Sequence, residues 1–91
     1  MTFRLRPGAD EAAFLAADAA VETDFACRQP GLLRRTTARS ADGAWLVIDQ
    51  WTDDDAADAM APRWNADPVA ERFMAFVDES SVVIERYHTL G

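Results

Sequence analysis

The chain has 91 residues, a formal net charge of −7, one cysteine and one histidine. This length predicts one domain, residues 1–91, which would bury only about 60–65% of the surface that the unfolded chain exposes, so a partner chain would add stability. The acidic charge disfavours nucleic acid and anionic membrane surfaces as partners. One cysteine and one histidine exclude an internal disulfide and the common Cys/His metal sites, so we expect no metal. No apolar run reaches the length of a signal peptide or a membrane span, which leads us to expect a soluble cytoplasmic protein.

The first part of the chain predicts a strand followed by a helix. Apolar and charged residues alternate from Thr2 to Arg6, which indicates a strand that ends at Pro7-Gly8. Asp10 is a typical N-cap residue, and we predict a helix from there to about Arg28. Pro30-Gly31 then ends the helix.

The next segment predicts a β-hairpin. An extended run from Leu32 to Arg39 and a strand from Ala44 to Trp51 flank the turn Ser40-Ala41-Asp42-Gly43, in which Asp-Gly suits a tight hairpin loop. Side chains alternate between the two faces of a strand. One face of the strand from Ala44 to Trp51 therefore carries Leu46 and Ile48. The other face carries Trp45, Val47, Asp49 and Trp51.

The last part of the chain predicts helical segments and a final strand. A second helical region opens at Thr52 and continues through three aspartates, which suit a helix N-terminus. Pro62 predicts a break or kink, and Asp67-Pro68 predicts a new N-cap followed by proline at the first helical position. We predict the final strand from Ser81 to His88. The helical piece before it places four apolar residues on one side: Val69, Phe73, Phe76 and Val77.

The predicted order β-α-β-β-α-β is that of the ferredoxin-like α+β fold, with a four-stranded antiparallel sheet and two helices on one face. The other face of such a sheet also carries apolar residues here. We therefore predict a homodimer in which two sheets pack face to face. The alternative is a monomer whose outer sheet face is wet and mostly polar.

Several turns and strand ends carry a resemblance to a known family. They are Pro30-Gly31-Leu32-Leu33, Asp42-Gly43, the strand from Trp45 to Trp51, Asp67-Pro68 and the run from Val82 to Tyr87. In these features the chain resembles, over essentially its whole length, the dimeric α+β barrel proteins related to antibiotic biosynthesis monooxygenases. The resemblance implies a dimeric barrel and, for activity, cofactor-independent oxygenation of polycyclic phenols.

The same family includes haem-degrading enzymes, and the residues argue against that activity. That branch uses an asparagine in the first strand, a tryptophan in the second helix and a histidine further along the chain. Trp64 could match the tryptophan, but the first strand has no asparagine and the region Phe73-Met74-Ala75 has no histidine. We therefore do not expect haem degradation.

Asp18 is the candidate catalytic residue. At 100° per residue it falls about 40° from Phe14, within the apolar stripe that Val21 and Phe25 continue. This position aims its carboxylate at the space between helix and sheet, where desolvation favours proton uptake and suits a general base. The alternative is that Asp18 forms a structural ion pair with Arg34 or Arg35.

Two other residues have reactive side chains. His88 could act as an acid or base, but it lies near the C-terminus, where an exposed or dimer-contacting position is the alternative. Cys27 lies near the end of a helix, where the helix dipole disfavours a thiolate, so we expect it to be unreactive.

The aromatic residues predict either core or the lining of a pocket for a flat ligand. In the pocket hypothesis, Phe14, Trp51 and Trp64 form walls, and Tyr87 and Arg34 donate hydrogen bonds to substrate oxygens. The leading hypothesis is therefore a small apolar pocket in which an aromatic or polyketide-like molecule is oxidised without a cofactor. The alternative is a non-catalytic small-molecule-binding module, or a structural dimer with a filled core.

Overall fold

The computed structural model describes residues 1–90. A short 3-10 turn, Ala26–Arg28, lies between the first helix and the second strand. The strands and helices follow in chain order: β1 (Thr2–Leu5), α1 (Glu11–Asp24), β2 (Leu32–Arg39), β3 (Trp45–Trp51), α2 (Asp54–Ala66), α3 (Pro68–Met74) and β4 (Val77–Val83).

The four strands form an antiparallel sheet in the order β2-β3-β1-β4. The helices pack on one face of it, which we call the inner face and which carries Phe3, Trp45 and Val47. Phe14 of α1 contacts Trp45, and Phe73 of α3 contacts Phe3. This is the ferredoxin-like α+β arrangement that the sequence predicted.

Aspartates begin all three helices. Asp10 accepts hydrogen bonds from the backbone N–H groups of residues 12 and 13, at 2.9 and 3.3 Å. Asp53 and Asp67 cap α2 and α3 in the same way, with bonds of 2.8 and 2.9 Å from residues 56 and 69. An aspartate in this position satisfies N–H groups that have no partner within the helix, so much of the acidic charge serves to start helices.

Two predicted helix features need correction. The first helix ends at Asp24, four residues before Arg28, because Phe25 leaves the helical region at φ −130° and the chain tightens into the 3-10 turn. Pro62 does not interrupt α2, which continues to Ala66. The break comes instead at Asp67, where the extended backbone at ψ 129° caps α3.

The predicted bounds of the last strand are also wrong. β4 runs from Val77 to Val83 rather than from Ser81 to His88, and residues 84–90 are not in a strand. Its pairing with β1 is irregular: Val77 and Asp78 face residues 5 and 4, whereas Val83 faces residue 2. In the bulge between them, the Ser81 hydroxyl accepts a hydrogen bond of 2.8 Å from the backbone N–H of Arg4. A side chain thus replaces a carbonyl of the ladder.

Gly31 sets the entry into β2. Its φ is +82°, which residues with a side chain rarely adopt. A Cβ there would lie 2.6 Å from the Cβ of Ala56 and 2.7 Å from the Oγ1 of Thr52. Glycine therefore lets the start of β2 approach the start of α2 closely.

The sheet face away from the helices, which we call the outer face, is only partly polar. Residues that pair across neighbouring strands point to the same face, as do residues two apart on one strand. Leu46 pairs with Ala38 and Thr2, and Thr2 also pairs with Val83. The outer face therefore carries Ala38, Leu46, Ile48 and Val83. Ile48 and Val83 are 46% and 49% exposed. No helix among residues 1–90 has the length and apolar character needed to cross a membrane.

Candidate functional site

A group of charged residues lies on the inner face, where the sheet would otherwise be apolar. Asp18 reaches down from α1, and Arg35 and Thr37 point up from β2, because residues two apart on a strand share a face. The Nη2 of Arg35 donates to the Oδ1 of Asp18 at 2.8 Å, and the Thr37 hydroxyl donates to the same oxygen at 3.0 Å. The Arg35 and Asp18 side chains are only 7% and 15% exposed.

Arg35 has further neighbours. Its Nη1 lies 3.9 Å from Glu22 Oε2 on α1, and its guanidinium lies 5.8 Å from the centre of the Phe73 ring. Of the two sequence interpretations of Asp18, the ion pair with Arg35 is therefore present in the structure. Whether the carboxylate also reacts depends on its surroundings.

Asp49 completes this group, and sequence reasoning overlooked it. It faces Arg35 directly across the β2–β3 pair. Its Oδ1 is buried and has no hydrogen-bond partner within residues 1–90. Burial raises the pKa of Asp49, and Glu22 adds to the rise, while Arg35 and the terminal amino group act against it. We call Asp18, Glu22, Arg35, Thr37 and Asp49 the inner polar cluster.

The signal for Asp49 was present in the sequence. The alternation of β3 placed this carboxylate on the same face as Trp45, Val47 and Trp51. A charged residue at an apolar position of a strand marks a site as clearly as one on the apolar stripe of a helix. Asp18 interrupts the apolar stripe of α1, and Asp49 interrupts the apolar face of β3 between Val47 and Trp51.

The space below α1 is filled by aromatic side chains rather than open. Phe14 is fully buried, and its ring centre lies 4.8 Å from that of Trp45 and 5.2 Å from that of Phe73. Phe14 is therefore part of the core in the single chain.

The two best-formed surface clefts among residues 1–90 do not border Asp18 or Asp49. The larger, about 480 Å³, lies between the start of α1 and the hairpin turn, with Arg4, Arg39 and Trp45 in its lining. Its arginines are already paired, Arg4 with Asp42 at 3.1 Å and Arg39 with Glu11. The smaller, about 220 Å³, lies beside Trp64 and α3, and it falls short of the roughly 300 Å³ at which pockets for drug-sized ligands begin.

The structure separates the other predicted site residues into two groups. Trp64 packs against Phe25 and Phe73, with ring centres 5.3 and 5.8 Å apart, and Trp51 ends β3 on the same face as Asp49. Both tryptophans are half-buried. They lie on the same side of the sheet as the inner polar cluster.

Arg34 and Tyr87 lie elsewhere in the single chain. Arg34 alternates with Arg35 and pairs with Gln50, so it points to the outer face. Tyr87 is 81% exposed beyond the last strand and donates a hydrogen bond to Glu85. Within one chain, neither is in a position to donate to a substrate at the cluster.

His88 also lies outside the cluster, near the C-terminal end of the described chain. Its Nε2 lies 3.1 Å from both carboxylate oxygens of Asp54, and Arg86 bonds Asp54 and Asp58 at 3.3 and 2.9 Å. The hydrogen bond with His88 is the main reason that the pKa of Asp54 is lowered. All four side chains are about half exposed or more, so these pairs add little to stability.

Metal-binding groups and the cysteine give no further site. Within residues 1–90 no group of three or more His, Cys, Asp or Glu side chains is arranged to hold a metal ion. Cys27 is exposed, and its Sγ donates to the carbonyl of Thr23 at 2.9 Å.

Comparison with known proteins supports the fold. No protein-family model matches the chain, and no curated protein matches it. A solved structure from Chloroflexus aurantiacus J-10-fl, provisionally named an antibiotic biosynthesis monooxygenase, matches with a TM-score of 0.55 and 19% identity. The match covers 99% of this chain and 93% of that protein. The single chain therefore has the ferredoxin-like α+β fold of that protein.

Proposed function

We propose that the protein is a homodimeric oxygenase that oxidises a flat aromatic or polyketide-like phenol without metal or flavin. The observation that carries this proposal is the inner polar cluster. Two carboxylates, Asp18 and Asp49, and one arginine lie between α1 and the sheet, at positions where apolar side chains would stabilise the fold more simply, and Glu22 lies at the exposed edge. Charged groups retained in such a place are frequent at functional sites.

The reaction needs a base and a substrate that can itself reduce dioxygen. A carboxylate removes a proton from a phenol or from an activated methylene carbon, and the electron pair stays on the substrate. The resulting anion passes one electron to O₂, and the radical pair combines to a peroxide. Loss of water then leaves a ketone where the methylene was. One oxygen atom enters the product and the other leaves as water, so no external reductant is consumed.

The substrate would lie at the Trp51 end of the inner face. The residues of α2, which covers this end, all keep some exposure to solvent. Residues two apart on a strand lie roughly 7 Å from each other. A ring stacked on Trp51 would thus bring its hydroxyl close to Asp49, with Trp64 as a second wall. Asp18 belongs to the same cluster, as base or as polar anchor.

The outer face supports the dimeric part of the proposal. Leu46 and Ile48 lie there on β3, Val83 lies on the far side of Thr2, and Ile84 beyond β4 is 75% exposed. Burial of a fully exposed side chain of this kind contributes about 1.5–3 kcal/mol, and Ile48 and Val83, which are half exposed, would contribute about half of that each. A second copy placed against this face would cover the patch and add to the core of a small chain.

Oxygen consumption with a panel of hydroxyanthrones and quinols tests the proposed chemistry. We expect the purified protein, with a metal chelator present and no reductant added, to consume one O₂ per substrate. With isotope-labelled dioxygen, one labelled atom should appear in the product. If no member of the panel is consumed faster than in buffer, the oxygenase function is rejected.

The second candidate is a non-catalytic dimer, and a specific observation favours it. The aromatic core below α1 is filled, and Asp18 is held by Arg35 and Thr37 as in a structural ion pair. In that case the panel would produce no oxygen uptake, whereas the dimer would persist.

A further inference from the structure

We infer that Asp49, rather than Asp18, accepts the proton of the substrate, and that Asp18 positions it by holding Arg35 away. This inference rests on the oxygenase function proposed above. It assigns different roles to two carboxylates that share one arginine.

The hydrogen bonds of the two carboxylates differ. Oδ1 of Asp18 already receives two hydrogen bonds, at 2.8 Å from Arg35 and at 3.0 Å from Thr37. A proton placed on that oxygen would displace both hydrogen bonds, including the charge-assisted bond from Arg35. Oδ1 of Asp49 is buried and has no partner within residues 1–90. Among the buried oxygens of the cluster, Oδ1 of Asp49 is therefore the one left to accept an O–H or C–H proton.

The position of Arg35 explains why Asp49 lacks a partner. Arg35 and Asp49 are cross-strand neighbours, so the arginine could serve either carboxylate. Its Nη2 turns to Asp18, and its Nη1 lies nearest Glu22, both on α1. Asp18 thus draws the guanidinium toward the helix and leaves Oδ1 of Asp49 without a hydrogen bond, although the charge of Arg35 still acts on it.

The charges around Asp49 support this role. Arg35 on β2 and the Met1 amino group next to β1 lower its pKa, whereas Glu22 on α1 raises it; Asp18 also lies above Arg35. Burial outweighs the two cations, so the pKa of Asp49 is raised. A carboxylate that binds a proton more readily than usual is a stronger base at neutral pH.

The sign of the pH effect follows from this rise. The base works only when it is deprotonated, so proton abstraction declines as the pH falls through the pKa of Asp49. Because that pKa is raised, the decline comes at a higher pH than for an ordinary aspartate. In Asp18→Asn the freed Arg35 can turn to Asp49 and lower its pKa, so the decline moves to lower pH.

Anaerobic mixing with a hydroxyanthrone separates proton removal from oxygenation. Without O₂ the reaction stops at the substrate anion, which is followed by its absorbance. We expect the wild-type protein to form the anion and Asp49→Asn to form it about 100-fold more slowly. Asp18→Asn should still form it, with the pH profile displaced to lower pH. Asp55→Asn, which removes an exposed aspartate of α2, serves as the control and should match the wild type.

Three results would overturn the inference: no anion with the wild type, an unaffected Asp49→Asn, or a loss confined to Asp18→Asn. Anion formation without later oxygen uptake would reject the oxygenase function and leave Asp49 as the base. Asp49→Glu guards against a folding defect, since it keeps a carboxylate and should recover part of the rate. Carboxyl NMR of the wild type gives an independent check: a pKa of Asp49 at or below its ordinary value would contradict the inference.

Discussion

The two faces of the sheet use the same two strands in opposite ways. On the inner face, Arg35 and Asp49 are charged side chains placed among buried aromatic residues. On the outer face, Ile48 is an apolar side chain left 46% exposed. Charged side chains are usually exposed and apolar side chains usually buried, and these residues show the opposite arrangement. The proposed function accounts for this reversal by a reactive cluster inside and a partner outside.

The largest loss of stability is expected from a substitution in the aromatic core that supports the inner polar cluster. Phe14→Ala should lower the free energy of unfolding by about 3–5 kcal/mol, because it removes a fully buried ring and leaves a cavity among its neighbours. Leu15→Ala, on the exposed side of the same helix at 46% exposure, is the matched control. Urea unfolding at fixed protein concentration measures both. A loss below about 1 kcal/mol for Phe14→Ala would mean that this region is not packed as described.

Replacement of Arg35, the cation of the inner polar cluster, should cause a smaller loss of stability. Arg35→Met should lower the free energy of unfolding by about 3 kcal/mol at neutral pH, because buried carboxylates lose their compensating charge. Arg34→Met changes the neighbouring residue on the outer face and should stay within about 0.5 kcal/mol. The difference should shrink as the pH falls through the raised pKa of Asp49, because that carboxylate then becomes neutral. Equal effects of the two variants would contradict the contrast between the faces.

The smallest effect on folding, but a decisive one on assembly, is expected on the outer face. Ile48→Asp should weaken the dimer by at least about tenfold, since it places a charge in the proposed contact, and should change subunit stability by about 1 kcal/mol or less. Leu15→Asp alters a residue of equal exposure on α1 and should leave the dimer intact. Light scattering over a dilution series gives the answer. A monomeric wild type, or a dimer insensitive to Ile48→Asp, would reject packing through this face.

Local signals in the sequence were enough for most of the fold. The order of elements, the hairpin turn and the caps at Asp10 and Asp67 depend on short stretches of chain, and the structure contains them. The bounds of β4 could not be read in this way, because the alternation beyond Ser81 looks the same whether or not a neighbouring strand is present. The bulge after Asp78, which shifts the pairing with β1, depends on a hydroxyl bond to a distant strand.

The site was predictable only in part for a similar reason. The helix pattern identified Asp18 and named Arg35 as one of two partners, and the structure chose between them. The sequence pattern could not show that Arg35 would bond Asp18 rather than Asp49. The partner of Arg35 depends on how far α1 lies above the sheet. The separate positions of Arg34 and Tyr87 likewise follow from strand register and from where β4 ends.

The most direct test of the proposed role of the inner polar cluster is oxygen uptake by a variant that lacks both carboxylates. The Asp18→Asn/Asp49→Asn protein keeps the shape of both side chains and Glu22 beside Arg35, so it should stay folded, although with a lower free energy of unfolding. With a hydroxyanthrone that the wild type oxidises, it should consume no more oxygen than buffer does. Uptake by this variant at the wild-type rate would show that the cluster is structural and that the chemistry lies elsewhere.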